Sequence, residues 1–213
     1  IGQNWYLGET LHSGIGQGYY LTTPLQLCLM TAQIANGGYK VQPSLIVGEK
    51  KENNLKNYIQ YKKENPNVEM SADVAAANFG LEPLFRNQEN INFVKDAMYA
   101  ATNEIGGTSY RSRLKDKKYM FAGKTGSSQI KRFTEKQRED EVKQSEIDYK
   151  ERDHALYVAF APYNDPKYAI SVLVEHGGSG SSAAAPIAKK VIKKVIERDA
   201  VRENQEKFIN KDI

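Results

Sequence analysis

A lysine, a hydroxyl residue and a glycine stand in a row at Lys124, Thr125 and Gly126, inside the stretch FAGKTGSSQI of residues 121–130. A phosphate loop would need another glycine five residues before Gly123, so that backbone N–H groups could wrap a phosphate. Lys118 stands there, and the triplet has the pattern of a strand rather than of a helix opening, so a nucleotide loop is rejected. Acyl transfer to a serine enzyme fits better. If this strand lay at a sheet edge beside a cleft, an extended peptide could join it as an added strand. Gly126 has no side chain to block that approach. Thr125 and Ser127 can offer hydroxyls to a terminal carboxylate, and Lys124 adds positive potential toward the same anion. The Ser127 N–H can point at a developing oxyanion. On the triplet alone, an ordinary strand with a glycine bulge is the preferred explanation.

Other chemistry-bearing residues are weaker candidates. GIGQG at 14–18 fails the dinucleotide pattern, because Tyr19 occupies the place of the third glycine and no strand precedes it. His12, His154 and His176 are scattered, with no partner at i+4, so neither a metal site nor any other cofactor is expected. No Gly-x-Ser-x-Gly elbow surrounds a serine. Cys28 is the single cysteine, which excludes a disulfide within the chain. It lies among Leu25, Leu29 and Ala32 at helical spacing and is expected to be a buried thiol. The stretch HGGSGSSAAAP from His176 places glycines before a helix, where free N–H groups can bind an anion. A strand-to-helix turn is the preferred interpretation.

The elements that must position these residues follow from pattern. The chain has 213 residues, 40% hydrophobic and 26% charged, which suits one sizeable domain or part of a larger one. No apolar run reaches the roughly 18 residues of a membrane span, and no signal peptide is visible. The first residues, IGQNWYLGET, lack a Met, and an excised piece of a longer protein is expected. A net charge of +4 with interleaved acids and no Arg/aromatic pattern argues against a nucleic-acid partner. Thr23 with Gln26 forms a capping box, Pro24 suits the first helical position, and Leu25, Cys28, Leu29, Ala32 and Ala35 supply an inward face. Asn36 to Gly38 ends that helix, and YKVQPSLIV is expected to be extended. Residues 49–90 are polar and lysine- and asparagine-rich, and are expected to form a surface excursion. A helix is expected from Ile91 to Glu104, with Phe93, Val94, Ala97, Met98 and Ala101 giving its period, closed by Gly106 and Gly107.

Three strands follow, in YMFAGKTGSSQI, HALYVAFAP and KYAISVLVEH. Tyr163, Asn164, Asp165 and Pro166 are a strong turn signal, so the last two form a hairpin. Residues 131–152 are charge-dense and balanced in sign, which predicts a solvated loop or exposed helix. The C-terminal helix starts near Pro186, with Ile187, Val191 and Val195 on one side and Ile192 and Ile196 beside them; residues 203–213 are expected to fray. Helices, then three antiparallel strands, then a helix across the sheet make an α+β fold.

Four blocks taken together resemble one family: SGIGQGYYLTTPLQLCLMTAQIANGG, NFVKDAMYAATNEIGGTSYRS, AGKTGSSQ and ERDHALYVAFAPYNDPKYAISVLVEHGGSGSSAAAPIAKKVI. They are similar to the C-terminal half of the transpeptidase domain of the class B, cell-elongation penicillin-binding proteins of Gram-negative bacteria, and they occur in the family's order. The resemblance implies a partial penicillin-binding, β-lactamase-like fold: an antiparallel sheet flanked by helices. It implies D,D-transpeptidation of stem peptides ending in D-Ala-D-Ala through a serine acyl-enzyme that β-lactams stall. It also implies a parent on the periplasmic side of the inner membrane, anchored by an N-terminal helix and partnered by the membrane glycosyltransferase of the elongation machinery.

Of the family's three motifs, S-x-x-K, S-x-N and K-T-G, only the third carries over, onto Lys124, Thr125 and Gly126. Ser127 stands where threonine is common. No S-x-N occurs, and the one S-x-x-K, Ser112 to Lys115, lies a dozen residues before the triplet in an expected loop. It is treated as a chance match. The nucleophile and its activating lysine are therefore absent from these 213 residues, and this chain alone is expected to be inactive. Two rivals remain: a non-catalytic peptidoglycan-binding or assembly module, and a β-lactamase of the same fold, which the elongation-type blocks disfavour.

Overall fold

The computed structural model describes residues 4–18, 20–45, 54–68, 70, 72–130 and 144–209. Helix α1 (Leu7–Gly14) buries none of its residues. Helix α2 (Pro24–Ala35) begins as its capping chemistry requires. Thr23 Oγ1 accepts from the Gln26 N–H at 3.2 Å, and Gln26 Oε1 accepts from the Thr23 N–H at 2.8 Å. Each bond satisfies a donor that the first helical turn leaves orphaned. At the other end the Asn36 carboxamide oxygen accepts from Gly38 and Tyr39, while Gly37 and Gly38 turn the chain at positive φ. The expected extended segment makes one bridge among the described residues, from Tyr39 to Pro83. Ile46 and Val47 lie outside the described residues.

Residues 49–90 contain more structure than an excursion needs. Helices α3 (Asn54–Glu64) and α4 (Ala72–Phe79) meet over a small aromatic cluster in which Tyr58 packs edge-on against both Tyr39 and Phe79. Lys63 pairs with Asp165 at 2.9 Å, tying this unit to the hairpin turn. Helix α5 (Gln88–Asn103) is capped by Asn87, whose side chain accepts from the Glu89 N–H.

Strands β1 (Ala122–Ser128), β2 (His154–Ala161) and β3 (Tyr168–Val174) form an antiparallel sheet in the order β1-β2-β3. The β2–β3 hairpin turns where the Tyr-Asn-Asp-Pro signal stands, and the Lys167 N–H closes it on Ala161 O at 2.9 Å. A π-helical turn, Gly180–Ala184, leads into α6 (Ala185–Ile209), with Pro186 in the first α-helical turn. The fold is thus α+β, an antiparallel sheet with helices on both faces.

Each face has its own core. Toward α6, Phe121, Tyr157, Ala155, Ala159 and Ala161 meet Ala184, Ala185, Ala188, Ile192 and Ile196. Alanines on both partners let helix and sheet approach closely, and the large rings fill the ends. Toward α2 and α5, Ala35 and Met98 meet Ala122 and Phe160. Tyr163 braces this side by donating to Asp96 Oδ1 at 2.7 Å. Cys28 is half-buried and donates to Ala169 O of β3 at 3.5 Å. Burial pushes its thiol above the ordinary range, although it is less buried than expected.

The helices differ from expectation in rotation. On α5 the buried positions are Ile91, Met98 and Thr102, while Phe93 is 75% exposed and Val94 is also exposed. On α6, Ile192 and Ile196 are buried, but Ile187 and Val191 face outward. Leu25 of α2 is likewise exposed, and Thr31 is buried in its place. The apolar stripes are wider than the faces the sheet covers, so period alone overstates the core. Residues 131–143 lie outside the described set. From Gln144 the charged segment forms two short 3-10 turns, and Gln144 and Asp153 exchange two hydrogen bonds at the foot of β2.

Candidate active site

Among the described residues β1 is an edge strand, so one side of its backbone faces away from β2. Which groups face outward is fixed at Gly123. Its N–H donates to Thr102 Oγ1 at 3.0 Å, and its carbonyl accepts from the same hydroxyl at 3.2 Å. Thr102 sits on α5, not on β2, so Gly123 points its backbone groups outward. Strand alternation then directs those of Thr125 and Ser127 the same way, while Lys124 and Gly126 pair with Val158 and Leu156. The edge is sealed at one end, where Asn103 Nδ2 also covers Phe121 O at 2.9 Å.

The seal is a polar network inside the core. Thr102, Ser109 and Tyr157 place three hydroxyls within 3.0–3.2 Å of one another, and Ser109 Oγ donates to Ala101 O. Tyr157 reaches this point only because Gly123 has no side chain: a Cβ there would lie 2.4 Å from its hydroxyl oxygen. Burial pushes the Tyr157 phenol above its ordinary range, and the bonds to Ser109 and Thr102 partly offset that. All the hydroxyls find partners, as a buried network requires.

Lys124 is exposed, on the same strand face as Ala122. Its ammonium donates to Thr125 O at 3.0 Å and lies 3.4 Å from Thr125 Oγ1. That engages the outward carbonyl of Thr125, and the next outward residue, Ser127, is exposed. Thr125 Oγ1 donates to Thr108 Oγ1 at 3.1 Å, so the middle residue of the triplet is held from the loop that follows α5. The four expected site residues are therefore together on the free edge, none of them buried.

Gly126 is less crowded than its neighbour across the fold. A Cβ on Gly126 would meet only Leu156 Cβ at 3.5 Å, an ordinary contact. A Cβ on Gly180 would lie 2.4 Å from Leu156 O and 2.7 Å from Gly126 O. Gly180 therefore serves close packing on the K-T-G strand, while Gly177 packs against Val174 and Ala155, so the anion-binding alternative is not needed to explain them.

The S-x-x-K at Ser112 lacks its motif's geometry. Ser112 ends a 3-10 turn (Tyr110–Ser112), and Arg113 is already extended at ψ 154°, so Lys115 is not one helical turn away. His154 and His176 pack edge-on, and His154 Nδ1 accepts from the His176 N–H at 3.0 Å, a structural role at the end of the hairpin. Among the described residues, no group of three or more His, Cys, Asp or Glu could hold a metal ion. Sequence reasoning missed Thr102, Thr108 and Ser109, which position the triplet. The only signal was a cluster of hydroxyls just after a helix end, and it gives no distance to the strand.

Residues 1–193 match the family described as the penicillin binding protein transpeptidase domain. The peptidoglycan D,D-transpeptidase MrdA of Salmonella typhimurium is 33% identical over 196 residues, covering 92% of this chain and 28% of that protein. Its counterpart in Acinetobacter baumannii is 34% identical, over 88% of this chain and 24% of that protein. Among solved structures, the complex between penicillin-binding protein PBP2 and MreC from Helicobacter pylori aligns at a TM-score of 0.65 and 29% identity, over 92% of this chain and 28% of that one. Pseudomonas aeruginosa PBP2 in complex with WCK 5153 aligns at 0.58 and 31% identity, over 89% of this chain and 33% of that one. With the K-T-G strand on a free sheet edge and these matches running along nearly its whole length, the chain belongs to the penicillin-binding protein transpeptidase family, of whose matched curated members it spans about a quarter.

Proposed function

We propose that this chain forms the substrate-gripping wall of a serine-type, PBP2-like peptidoglycan D,D-transpeptidase. In the full-length protein, a serine outside these residues attacks the carbonyl of the penultimate D-Ala of a stem peptide. The bond to the terminal D-Ala breaks, that residue leaves with a proton on its amine, and an acyl-enzyme remains. An amine from a second stem then takes the acyl group, and the serine recovers its proton. A β-lactam enters the same site and stalls at the acyl stage.

The Ser127 position on the open edge carries this proposal. Its outward N–H is suited to the oxyanion and its carbonyl to a peptide N–H, which is strand addition over one rung. Thr125 and Ser127 offer hydroxyls to the terminal carboxylate, Lys124 supplies positive charge beside them, and Gly126 keeps the approach open. The protein would work on the periplasmic side of the inner membrane, anchored by an N-terminal helix, beside a membrane glycosyltransferase. No described helix is long and apolar enough to cross a membrane.

Labelling with a fluorescent penicillin, followed by denaturing electrophoresis, tests the proposal. The full-length protein should give a covalent band, Lys124→Ala should reduce it at least a hundredfold, and the 213-residue chain alone should give none. A band on the isolated chain would overturn the assignment of the nucleophile. No band on the full-length protein would favour the non-catalytic module.

A further inference from the structure

Behind the K-T-G strand, on the α6 side, lies a groove of about 420 Å³ between the loop after α5 and the start of α6. Thr108, Arg111 and Ser112 line one wall, and Ser181, Ser182 and Lys189 line the other. Two cations face it, and none of its lining residues is acidic. Neither Arg111 nor Lys189 makes an ion pair or hydrogen bond among the described residues. Ser112 is only 4% exposed, but no buried polar side-chain atom among the described residues lacks a partner, so its unbonded hydroxyl opens onto the groove.

Both walls are attached to the triplet. Thr108 accepts from Thr125 at 3.1 Å, and Gly180, next to Ser181, packs on the backbone of Gly126. Thr125 and Ser127 do not line the groove, so it is separate from the place where they would hold a terminal carboxylate.

We propose that this groove is a second anion subsite, which takes a side-chain carboxylate of an acidic peptide lying along the K-T-G strand. A guanidinium and an ammonium with hydroxyl donors between them suit a carboxylate. The identity of the ligand rests on the transpeptidase reading, because the strand that anchors both walls is the one expected to hold peptide. Occupancy would fix Thr108 and, through it, Thr125.

The test uses the full-length protein and calorimetric titration with an end-blocked Glu-Glu dipeptide, its Gln-Gln analogue and inorganic phosphate. Glu-Glu should bind, Gln-Gln should bind at least tenfold more weakly, and Arg111→Gln with Lys189→Gln should weaken Glu-Glu at least tenfold. Ser112→Ala should weaken it severalfold. The charge-retaining pair Arg111→Lys with Lys189→Arg should hold most of the affinity, which separates charge from folding. Equal Glu-Glu binding by wild type and the Gln double variant, or no binding by wild type, overturns the inference. Phosphate binding as tight as Glu-Glu overturns the peptide assignment. Penicillin labelling of the same wild-type sample is scored separately: its absence counts against the transpeptidase reading, whatever the groove binds.

Discussion

At the scale of single residues, the glycines around β1 divide into those that protect the fold and one that protects access. Gly180→Ala forces a methyl group against two backbone oxygens that cannot move aside. It should cost about 1–3 kcal/mol, as overpacking does, and thermal melting of the variant checks this. Gly126→Ala meets only an ordinary contact, so its melting temperature should stay within a few degrees of wild type while penicillin labelling falls. Thr102→Val leaves the Gly123 N–H and carbonyl without their partner. Each orphaned group costs about 1–3 kcal/mol, so a loss of roughly 2–6 kcal/mol should be measured by urea unfolding. Tyrosines give a pH signature. Burial raises the Tyr157 phenol, and burial with the Asp96 bond pushes Tyr163 up to about 12. An unfolded tyrosine ionises near 10. Below that pH both states stay protonated, and above it the unfolded state loses protons first, so stability falls as pH rises. Above the ordinary tyrosine range the decline should be shallower in Tyr157→Phe.

At the scale of elements, the sequence was most legible where chemistry is local. The Thr23–Gln26 box, the Asn36-Gly-Gly stop and the turn at Tyr163–Pro166 all stand where their residues indicate, because each is settled by neighbours within a few positions. The rotation of the helices was not legible, since it depends on which part of a broad apolar stripe the sheet reaches. The α6 helix tests this distinction. Ile192→Ala, in the packed core, should cost about 2–5 kcal/mol, whereas Ile187→Ala and Val191→Ala should change unfolding little. Equal losses at all three would mean that α6 is turned differently from the arrangement described. The triplet itself was visible as a motif, but its support was not. Thr102 and Thr108 lie 21 and 17 residues from the strand positions they hold, and nothing in their spacing announces that contact.

At the scale of the whole molecule, the chain exposes several large apolar side chains. Leu7, Leu11, Leu21, Leu25, Phe93 and Ile105 are all more than half exposed, and among the described residues β1 has an open edge. Scattered exposed apolar residues are ordinary, but several of this size together with an open strand edge call for cover. In the full-length protein we expect further chain to cover them. The 213 residues alone should therefore self-associate, with light scattering after size exclusion showing mass that rises with concentration. A monomer at every concentration would argue against this.

The hydroxyl of Thr102 has one more effect. By occupying both backbone groups of Gly123, it acts as a doorstop: a visiting strand can slide in along Ser127 but cannot run on past the lysine. Such a berth is too short for the middle of a long polypeptide and suits the tip of a small one. The same stop denies a second sheet the continuous seam from which fibres grow.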